Sequence, residues 1–248
     1  MKGSQEKAHV VAIVPAAGLG ERFGPGTNKP LLTLGGKPLV VWPLAVLQSV
    51  SEIAEIIPVL KSEDMEQGRR ISEAYNLSKI KRIAAGGKER QDSVYNGLKL
   101  IEDDNCIVLV HDGVRPLVEK ELIERTIEEL IALSTPPKKG TKGASGGIDG
   151  VVPGVPLKDT IKEAVDGIIK RTLKRDSLWA IQTPQVFLYK KLRTAYDQAM
   201  KEGFYSTDDS ALVEHYGGRI KVIMGSYRSI KVTTPEDLDI AEFLLRKT

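Results

Sequence analysis

A short apolar run, Val10-Val11-Ala12-Ile13-Val14, opens into Pro15-Ala16-Ala17-Gly18-Leu19-Gly20-Glu21-Arg22-Phe23, and Lys29 follows a few residues later. A strand that ends in small residues lets backbone N–H groups come close to a phosphate, because little side-chain bulk stands in the way. Arg22 and Lys29 place two cations beside those N–H groups, a combination suited to a triphosphate. Two other phosphate-binding loops are excluded. The dinucleotide fingerprint needs a glycine where Phe23 stands, and the chain has no Gly-Lys-Ser or Gly-Lys-Thr of a Walker A loop. A glycine-rich turn alone marks many ordinary strand-to-helix connections, so the weight rests on the two cations.

Other residues offer charge but no nucleophile. Asp112 follows the apolar run Ile107-Val108-Leu109-Val110, at the carboxyl end where open α/β sheets bind ligands. It is the candidate to face a divalent cation or its waters, against the plainer reading of a turn or helix-capping aspartate. Arg115 reads either as a site residue or as an ion-pair partner. Lys231 lies between Ile230 and Val232, so on a strand it faces away from both, and the plain reading is an exposed strand lysine. Asp208 and Asp209 could both cap the helix that follows them. Cys106 sits in an apolar run and reads as a small hydrophobe. His9 and His215 carry no signal, His111 reads as structural, and no Ser-His-Asp or Cys-His set is present.

The elements that must position these residues alternate between short β-branched runs and longer helical patterns. That alternation predicts an α/β fold with a mostly parallel central sheet and helices on both faces. Strands are expected at Val10–Val14, Ile56–Val59, Ile80–Ile83, Ile107–Val110, Gly150–Pro153 and Lys221–Met224, with Pro58 and Pro153 marking edges or irregularities. Leu122, Ile123, Ile127, Leu130 and Ile131 repeat at helical spacing, as do Leu238, Ala241, Leu244 and Leu245 after the helix start Pro235-Glu236-Asp237. Pro136 to Gly147 reads as a surface loop whose Lys138, Lys139 and Lys142 are a solvated run. Thr160 to Leu173 reads as a β-hairpin turning at Asp166-Gly167, with so little core of its own that it must fold onto the sheet or pack against a second copy.

The bulk numbers set outer limits. With 248 residues and 41% hydrophobic residues the chain can build a sizeable core, and it reads as a single domain over 1–248 with residues 157–176 as an arm. The net charge of +3 comes from Lys and Arg spread along the chain, not from a dense block with aromatics. That excludes a nucleic-acid partner and suits anionic small molecules. One cysteine cannot form an internal disulfide, which points to a reducing, cytoplasmic setting. The apolar stretch before Gly18 is too short to span a membrane.

Several motifs carry a family resemblance. Pro15-Ala16-Ala17-Gly18-x-Gly20-x-Arg22, followed by Asn28-Lys29-Pro30, resembles the signature of nucleotidyltransferases of the GT-A-like, Rossmann-like fold. Gly86-Gly87-x-x-Arg90-x-Asp92-Ser93-Val94, His111-Asp112-Gly113-Val114-Arg115-Pro116, Asp159-Thr160-Ile161-Lys162 and Ile230-Lys231-Val232-Thr233-Thr234-Pro235-Glu236-Asp237-Leu238 narrow it. In order and spacing, from about residue 10 to about residue 245, the chain resembles the 2-C-methyl-D-erythritol 4-phosphate cytidylyltransferase family of the non-mevalonate isoprenoid pathway. It departs from the family pattern at Gly113-Val114, where relatives usually carry Ala-Ala, and at Pro30-Leu31, where they often carry Gln-Tyr.

The resemblance implies transfer of CMP from CTP to a polyol monophosphate, with Mg2+ or another divalent cation, in a homodimer joined through the arm. It assigns Pro15, Ala16, Ala17, Gly18, Gly87, Arg90 and Ser93 to the nucleotide, with the Gly86-Gly87 backbone reading the cytosine edge. It assigns Arg22, Lys29, Arg175 and Lys231 to charge stabilisation and positioning. Asp112, Arg115, Thr160, Thr183 and Thr207 fall to the polyol phosphate, Thr183 through its place in Gln182-Thr183-Pro184-Gln185, with Asp112 also toward the metal. Thr160 and Arg175 belong to the arm that, in the family, reaches the partner's site. A cytidylyltransferase for another polyol phosphate, such as ribitol 5-phosphate, stays open at this point. So does a non-catalytic nucleotide-binding regulator, although the joint presence of Arg22, Lys29, Lys231 and Arg175 argues against it. A sugar-1-phosphate nucleotidyltransferase is disfavoured by length and a nicotinamide enzyme by Phe23.

Overall fold

A computed structural model of the chain describes residues 9–18, 23, 28–134 and 147–247. Its frame is an eight-stranded sheet. The middle is parallel: β1 (Val10–Pro15) lies between β4 (Ile53–Leu60) and β6 (Ile107–Val110), and β5 (Ala84–Ala85) continues outward from β4. Beyond β6 the antiparallel β11 (Gln185–Leu188) leads to β7 (Gly150–Pro156). β7 also pairs antiparallel with β10 (Trp179–Ile181) and, on its other side, parallel with β12 (Ile220–Met224). A small ribbon of β2 (Thr33–Leu34) and β3 (Lys37–Pro38) stands apart, and so does the hairpin of β8 (Lys162–Val165) and β9 (Ile168–Thr172).

Strict alternation along β1 explains why the sheet is covered on both faces. Val10, Ala12 and Val14 turn to one side, where Leu44 and Leu47 of α1 (Val41–Ser49) and Ile123, Ile127 and Leu130 of α4 (Lys120–Ser134) meet them. Val11 and Ile13 turn to the other, against Val94 and Leu98 of α3 (Arg90–Leu98), Leu192 and Tyr196 of α5 (Tyr189–Glu202) and Leu212 of α6 (Asp209–His215). The side chains of Val10 to Val14 are at most 2% exposed, and full burial of a Val or Ile contributes about 1.5–3 kcal/mol, so this strand anchors the fold. The remaining helices are α2 (Met65–Ala74) and α7 (Pro235–Leu245). Among the described residues no helix is long and apolar enough to cross a membrane.

Pro58 and Pro153, the prolines inside the expected strands, fall where a neighbour's ladder is interrupted. Ile56 N–H donates to Lys79 O, so Pro58, two residues on, turns toward the same edge; there the ladder is broken between the isolated Ile56–Ile80 bridge and the Val59–Ala84 pair. Pro153 falls between the β11 pairing at Gly150 and Val151 and the β10 pairing that begins at Gly154. The strand expected at Ile80–Ile83 is corrected: only Ile80 bridges, and the true strand is Ala84–Ala85. Arg82 spends its guanidinium on Glu55, at 2.8 and 2.7 Å, while Ile80 and Ile83 pack on the core without a ladder. The expected hairpin is present, with Asp166 at φ 50° and Gly167 at φ 76°, the left-handed pair of a tight two-residue turn. The 136–147 loop lies outside the described residues apart from Gly147.

Candidate active site

The carboxyl ends of β1, β4 and β6 open onto one cavity of about 720 Å3, a size that suits a small-molecule site. The strand ends are stitched to one another. Ala16 N–H donates to Val59 O at 2.8 Å, His111 N–H to Ile13 O at 3.0 Å and Gly113 N–H to Pro15 O at 3.2 Å. Pro15, Ala16, Ala17 and Gly18 form one wall, and Lys29 reaches in from a short 3-10 turn, Lys29–Leu31. Arg22 lies outside the described residues.

Gly86 and Gly87 line the cavity directly beside Ala17, and both positions exclude a side chain. A Cβ on Gly86 would stand 2.3 Å from the Ala17 Cβ, and one on Gly87 would stand 2.2 Å from the Asp92 Cβ. Both amides are consumed within the chain: Gly86 N–H donates to Leu60 O at 2.7 Å and Gly87 N–H to Ser93 Oγ at 3.1 Å. Ser93 passes its own proton to Glu89 O at 3.1 Å. Glu89 N–H in turn donates to Asp92 Oδ2 at 2.9 Å, within the capping box that starts α3. The loop that faces the cavity is therefore fixed before any ligand arrives.

Asp112 lies at the floor, 5% exposed, and three cations converge on it. Arg90 Nε donates to Oδ1 at 3.1 Å, and Lys231 Nζ and Arg115 Nε approach Oδ2 at 3.0 and 3.4 Å. Burial alone would raise the Asp112 pKa, but Arg90, Lys231 and Arg115 overwhelm it and hold the carboxyl far below its usual range. Thr183 is buried beneath: it accepts Asp112 N–H at 3.1 Å and is hydrogen-bonded to His111 Nδ1 at 3.0 Å. Burial drives the His111 pKa down to about 4, so the imidazole is neutral at physiological pH. Burial likewise raises the Cys106 thiol to about 12, which removes it as a nucleophile.

Lys231 reaches this floor without a strand. Ile230 N–H donates to Arg228 O at 2.8 Å and Val232 N–H to Val114 O at 2.9 Å; Val232 is buried in a small core with Leu34, Leu39 and Ala241, Ile230 packs against it, and Lys231 lines the cavity. Of the other expected residues, Lys29, Arg90, Ser93, Gly87, Asp112 and Lys231 line the cavity. Arg115 stands just behind Asp112, its Nη1 donating to Ser229 O at 2.8 Å. Thr207 is exposed and away from the lining, and so are Thr160 and Arg175 in and beside the hairpin. Arg175 donates to the Lys158 carbonyl instead.

Three features escape the sequence. Lys61 and Lys88 add two more cations to the lining, so Lys29, Lys61, Lys88, Arg90 and Lys231 face Glu63, Glu89 and Asp112, a cationic excess among the described residues. Asp208 alone caps α6, accepting Ala211 N–H at 2.8 Å. Its neighbour Asp209 is fully buried and accepts Arg90 Nη2 at 2.8 Å. The only sequence hint was the doubled aspartate, because one helix start has one capping position.

Comparison with known proteins agrees with this geometry. Residues 10–247 match the model of the IspD family, described as 2-C-methyl-D-erythritol 4-phosphate cytidylyltransferase. A protein of that name from Clostridioides difficile (strain 630) is 45% identical over 235 residues, covering 94% of this chain and 92% of its own. One from Geotalea uraniireducens (strain Rf4) is 40% identical over 240 residues, covering 96% and 97%. The crystal structure of 4-diphosphocytidyl-2C-methyl-D-erythritol synthase from Anaerococcus prevotii DSM 20548 superposes with a TM-score of 0.79 at 32% identity, covering 97% of each chain.

Proposed function

The chain belongs to the 2-C-methyl-D-erythritol 4-phosphate cytidylyltransferase family, and from that premise we propose that it transfers CMP from CTP to 2-C-methyl-D-erythritol 4-phosphate, releasing pyrophosphate. The observation that carries the reading is the cavity itself: the small residues at the end of β1 packed against the fixed Gly86-Gly87 loop, and a cationic floor around the ionised Asp112. The relatives' names favour methylerythritol phosphate over ribitol 5-phosphate as the acceptor.

The nucleophile is an oxygen of the acceptor's phosphate. Its second pKa is about 6, so it is ionised at neutral pH and needs no general base. That agrees with a site whose histidine is buried and neutral. The obstacle is electrostatic, because an anion must attack the α-phosphate of a polyanion. Lys29, with Arg22, offsets the triphosphate charge and the charge developing in the transition state. Lys231, with Arg175 of a second copy, holds the attacking phosphate in line, and Asp112, backed by Arg115 and by Thr183 beneath it, shapes the acceptor's seat. Catalysis is then positioning plus charge stabilisation.

A magnesium ion fits the donor set. No group of three acidic, histidine or cysteine side chains among the described residues could cage a metal; the carboxylates that line the cavity are Glu63, Glu89 and Asp112, and Asp112 is held ionised by its cationic neighbours. Magnesium commonly enters on one or two carboxylates together with substrate phosphates, and Asp112 is the residue that would face it or its waters. When bound it would neutralise phosphate oxygens.

The arm completes the reading. Thr160 and Arg175 serve the acceptor site of a second copy, which makes the working unit a cytoplasmic homodimer. Support comes from the exposure of every β8 and β9 residue and from the apolar side chains Ile168 and Ile169, 66% and 60% exposed. A hairpin of two strands is marginal alone in water. The test of the function is pyrophosphate release measured over four nucleoside triphosphates and several polyol phosphates, with and without divalent cation. CTP with methylerythritol phosphate is expected to dominate, and equal turnover with UTP sinks the cytidine assignment.

A further inference from the structure

We propose that Asp209, outside the cavity lining and fully buried, is a positioning residue: it locks Arg90 in the one orientation that leaves Asp112 free to hold Lys231 at the acceptor site. The inference rests on the cytidylyltransferase reading and deepens it.

The side chains form a chain across the molecule. Tyr196 of α5 donates its hydroxyl to Asp209 Oδ1, and Arg90 Nη2 donates to Oδ2 at 2.8 Å. Arg90 Nε then donates to Asp112 Oδ1 at 3.1 Å, which leaves Oδ2 to Lys231 Nζ at 3.0 Å and Arg115 Nε at 3.4 Å. Arg90 is thus divided between two carboxylates. A guanidinium beside a single carboxylate prefers to grip both of its oxygens with two parallel N–H groups. Without Asp209, Arg90 would turn to take both oxygens of Asp112 and displace Lys231 from Oδ2. It could equally swing into the cavity, where it already forms part of the lining. Tyr196, 1% exposed, ties Asp209 to the core helix and leaves the carboxylate no other direction in which to relax. A buried carboxylate kept only for stability would be a poor choice, since ion pairs of this kind often stabilise less than apolar packing of similar volume.

The experiment compares Asp209→Asn, Asp209→Glu and Tyr196→Phe with the natural chain in pyrophosphate release, separating KM for each substrate from kcat, with a thermal melt of each protein. Asp209→Asn keeps the shape but loses the charge that holds Arg90. The expected result is a KM for the polyol phosphate raised about tenfold, the scale of one lost charge-assisted contact, with KM for CTP changed much less and partial recovery in Asp209→Glu. A lowered melting temperature with both KM values and kcat unchanged overturns the proposal and leaves Asp209 a stability residue. Should Asp209→Asn fail to fold, Tyr196→Phe decides: a polyol-phosphate KM raised about twofold to threefold supports the role, and an unchanged one overturns it. If the natural chain itself shows no release from CTP with any polyol phosphate, the functional reading fails, which is a different outcome from an active natural chain indifferent to Asp209.

Discussion

Around the cavity, Gln91, Ser93, Asp112, Thr183 and Asp209 are all buried, and each has hydrogen-bond partners within the chain. Along the hairpin, every residue of β8 and β9 is exposed, and the side-chain bonds are cross-strand pairs such as Arg171 to Glu163 at 2.6 Å and Lys162 to Thr172 at 2.5 Å. Such exposed pairs contribute a few tenths of a kcal/mol each. One region is finished by its own chain and the other is not. The cavity can hold a polyanion in a preset cationic frame, whereas the arm has a defined turn and register but apolar side chains with nothing of their own to cover them. On the function proposed above, the difference says which half of the chemistry each region would supply: the nucleotide side would be built within one chain, and the arm's contribution would need another surface.

The sharpest way to break that comparison is at the cavity. Lys29→Ala should lower kcat about a hundredfold or more, as expected when a contact made to transition-state charge is lost, while affinity for CTP falls less. Steady-state kinetics checks this. A raised KM with unchanged kcat would show that Lys29 binds ground state and transition state alike.

The next test sharpens the division between chains. Arg175→Ala and Lys29→Ala chains, each nearly inactive alone, should recover activity when mixed and allowed to exchange subunits. A mixed dimer regains one composite site that keeps both Lys29 and the partner's Arg175. Verified heterodimers with no recovery would mean that each chain supplies its own Arg175, in spite of its distance from the cavity lining.

A third test makes the same substitution in both regions. Gly86→Ala forces a Cβ to within 2.3 Å of Ala17 and should cost about 1–3 kcal/mol of global stability, with activity lost alongside. Gly167→Ala meets no neighbour but must hold φ 76°, a strain of about 1 kcal/mol confined to a turn outside the core. Thermal melts of the two variants should therefore separate. Equal losses would mean that the arm is as much a part of the cooperative fold as the cavity.

Much of this contrast was legible in the residues. The apolar run of β1, the small residues at its end and the Asp166-Gly167 turn are local patterns, and the structure follows each of them. The helix stripes of α4 and α7 were also plain, because each repeats over several turns, with one correction: Ile131, at the end of the α4 stripe, is 42% exposed. What failed to show is long-range. Arg90 and Asp209 are 119 residues apart, and Arg90 and Asp112 are 22 apart, so no periodicity announces that one guanidinium joins two carboxylates. The run Ile80–Ile83 has strand composition, yet Arg82 finds Glu55 and the ladder starts later, a tertiary contact overriding propensity. Lys61 and Lys88 looked like ordinary surface lysines until β4 and the Gly86-Gly87 loop brought both to one rim.

The smallest expected effect lies beneath Lys231, where the cavity is held by a helix start. The Asp237 carboxylate accepts Thr233 N–H at 2.8 Å, the Thr233 hydroxyl at 2.6 Å and Thr234 N–H at 2.9 Å, closing the first turn of α7 two residues beyond Lys231. Burial pushes the Asp237 pKa up, but the hydrogen bonds from Thr233 and Thr234 outweigh it and hold the carboxyl below its ordinary value. A carboxyl whose pKa is lowered by folding stabilises the fold fully above its unfolded value, near 4, and loses that contribution as pH falls through the folded value. Asp237→Asn should therefore cost about 1 kcal/mol at neutral pH, the scale of a lost helix cap, and the gap in melting temperature between it and the natural chain should close as pH drops below about 4. Because Val232 and Ile230 pack under the same helix, KM for the polyol phosphate should rise slightly in parallel. A gap that stays constant from neutral to acid pH would show that the ionised form of Asp237 is not what closes the turn, and Lys231 would then owe its direction to the packing of Ile230 and Val232 alone.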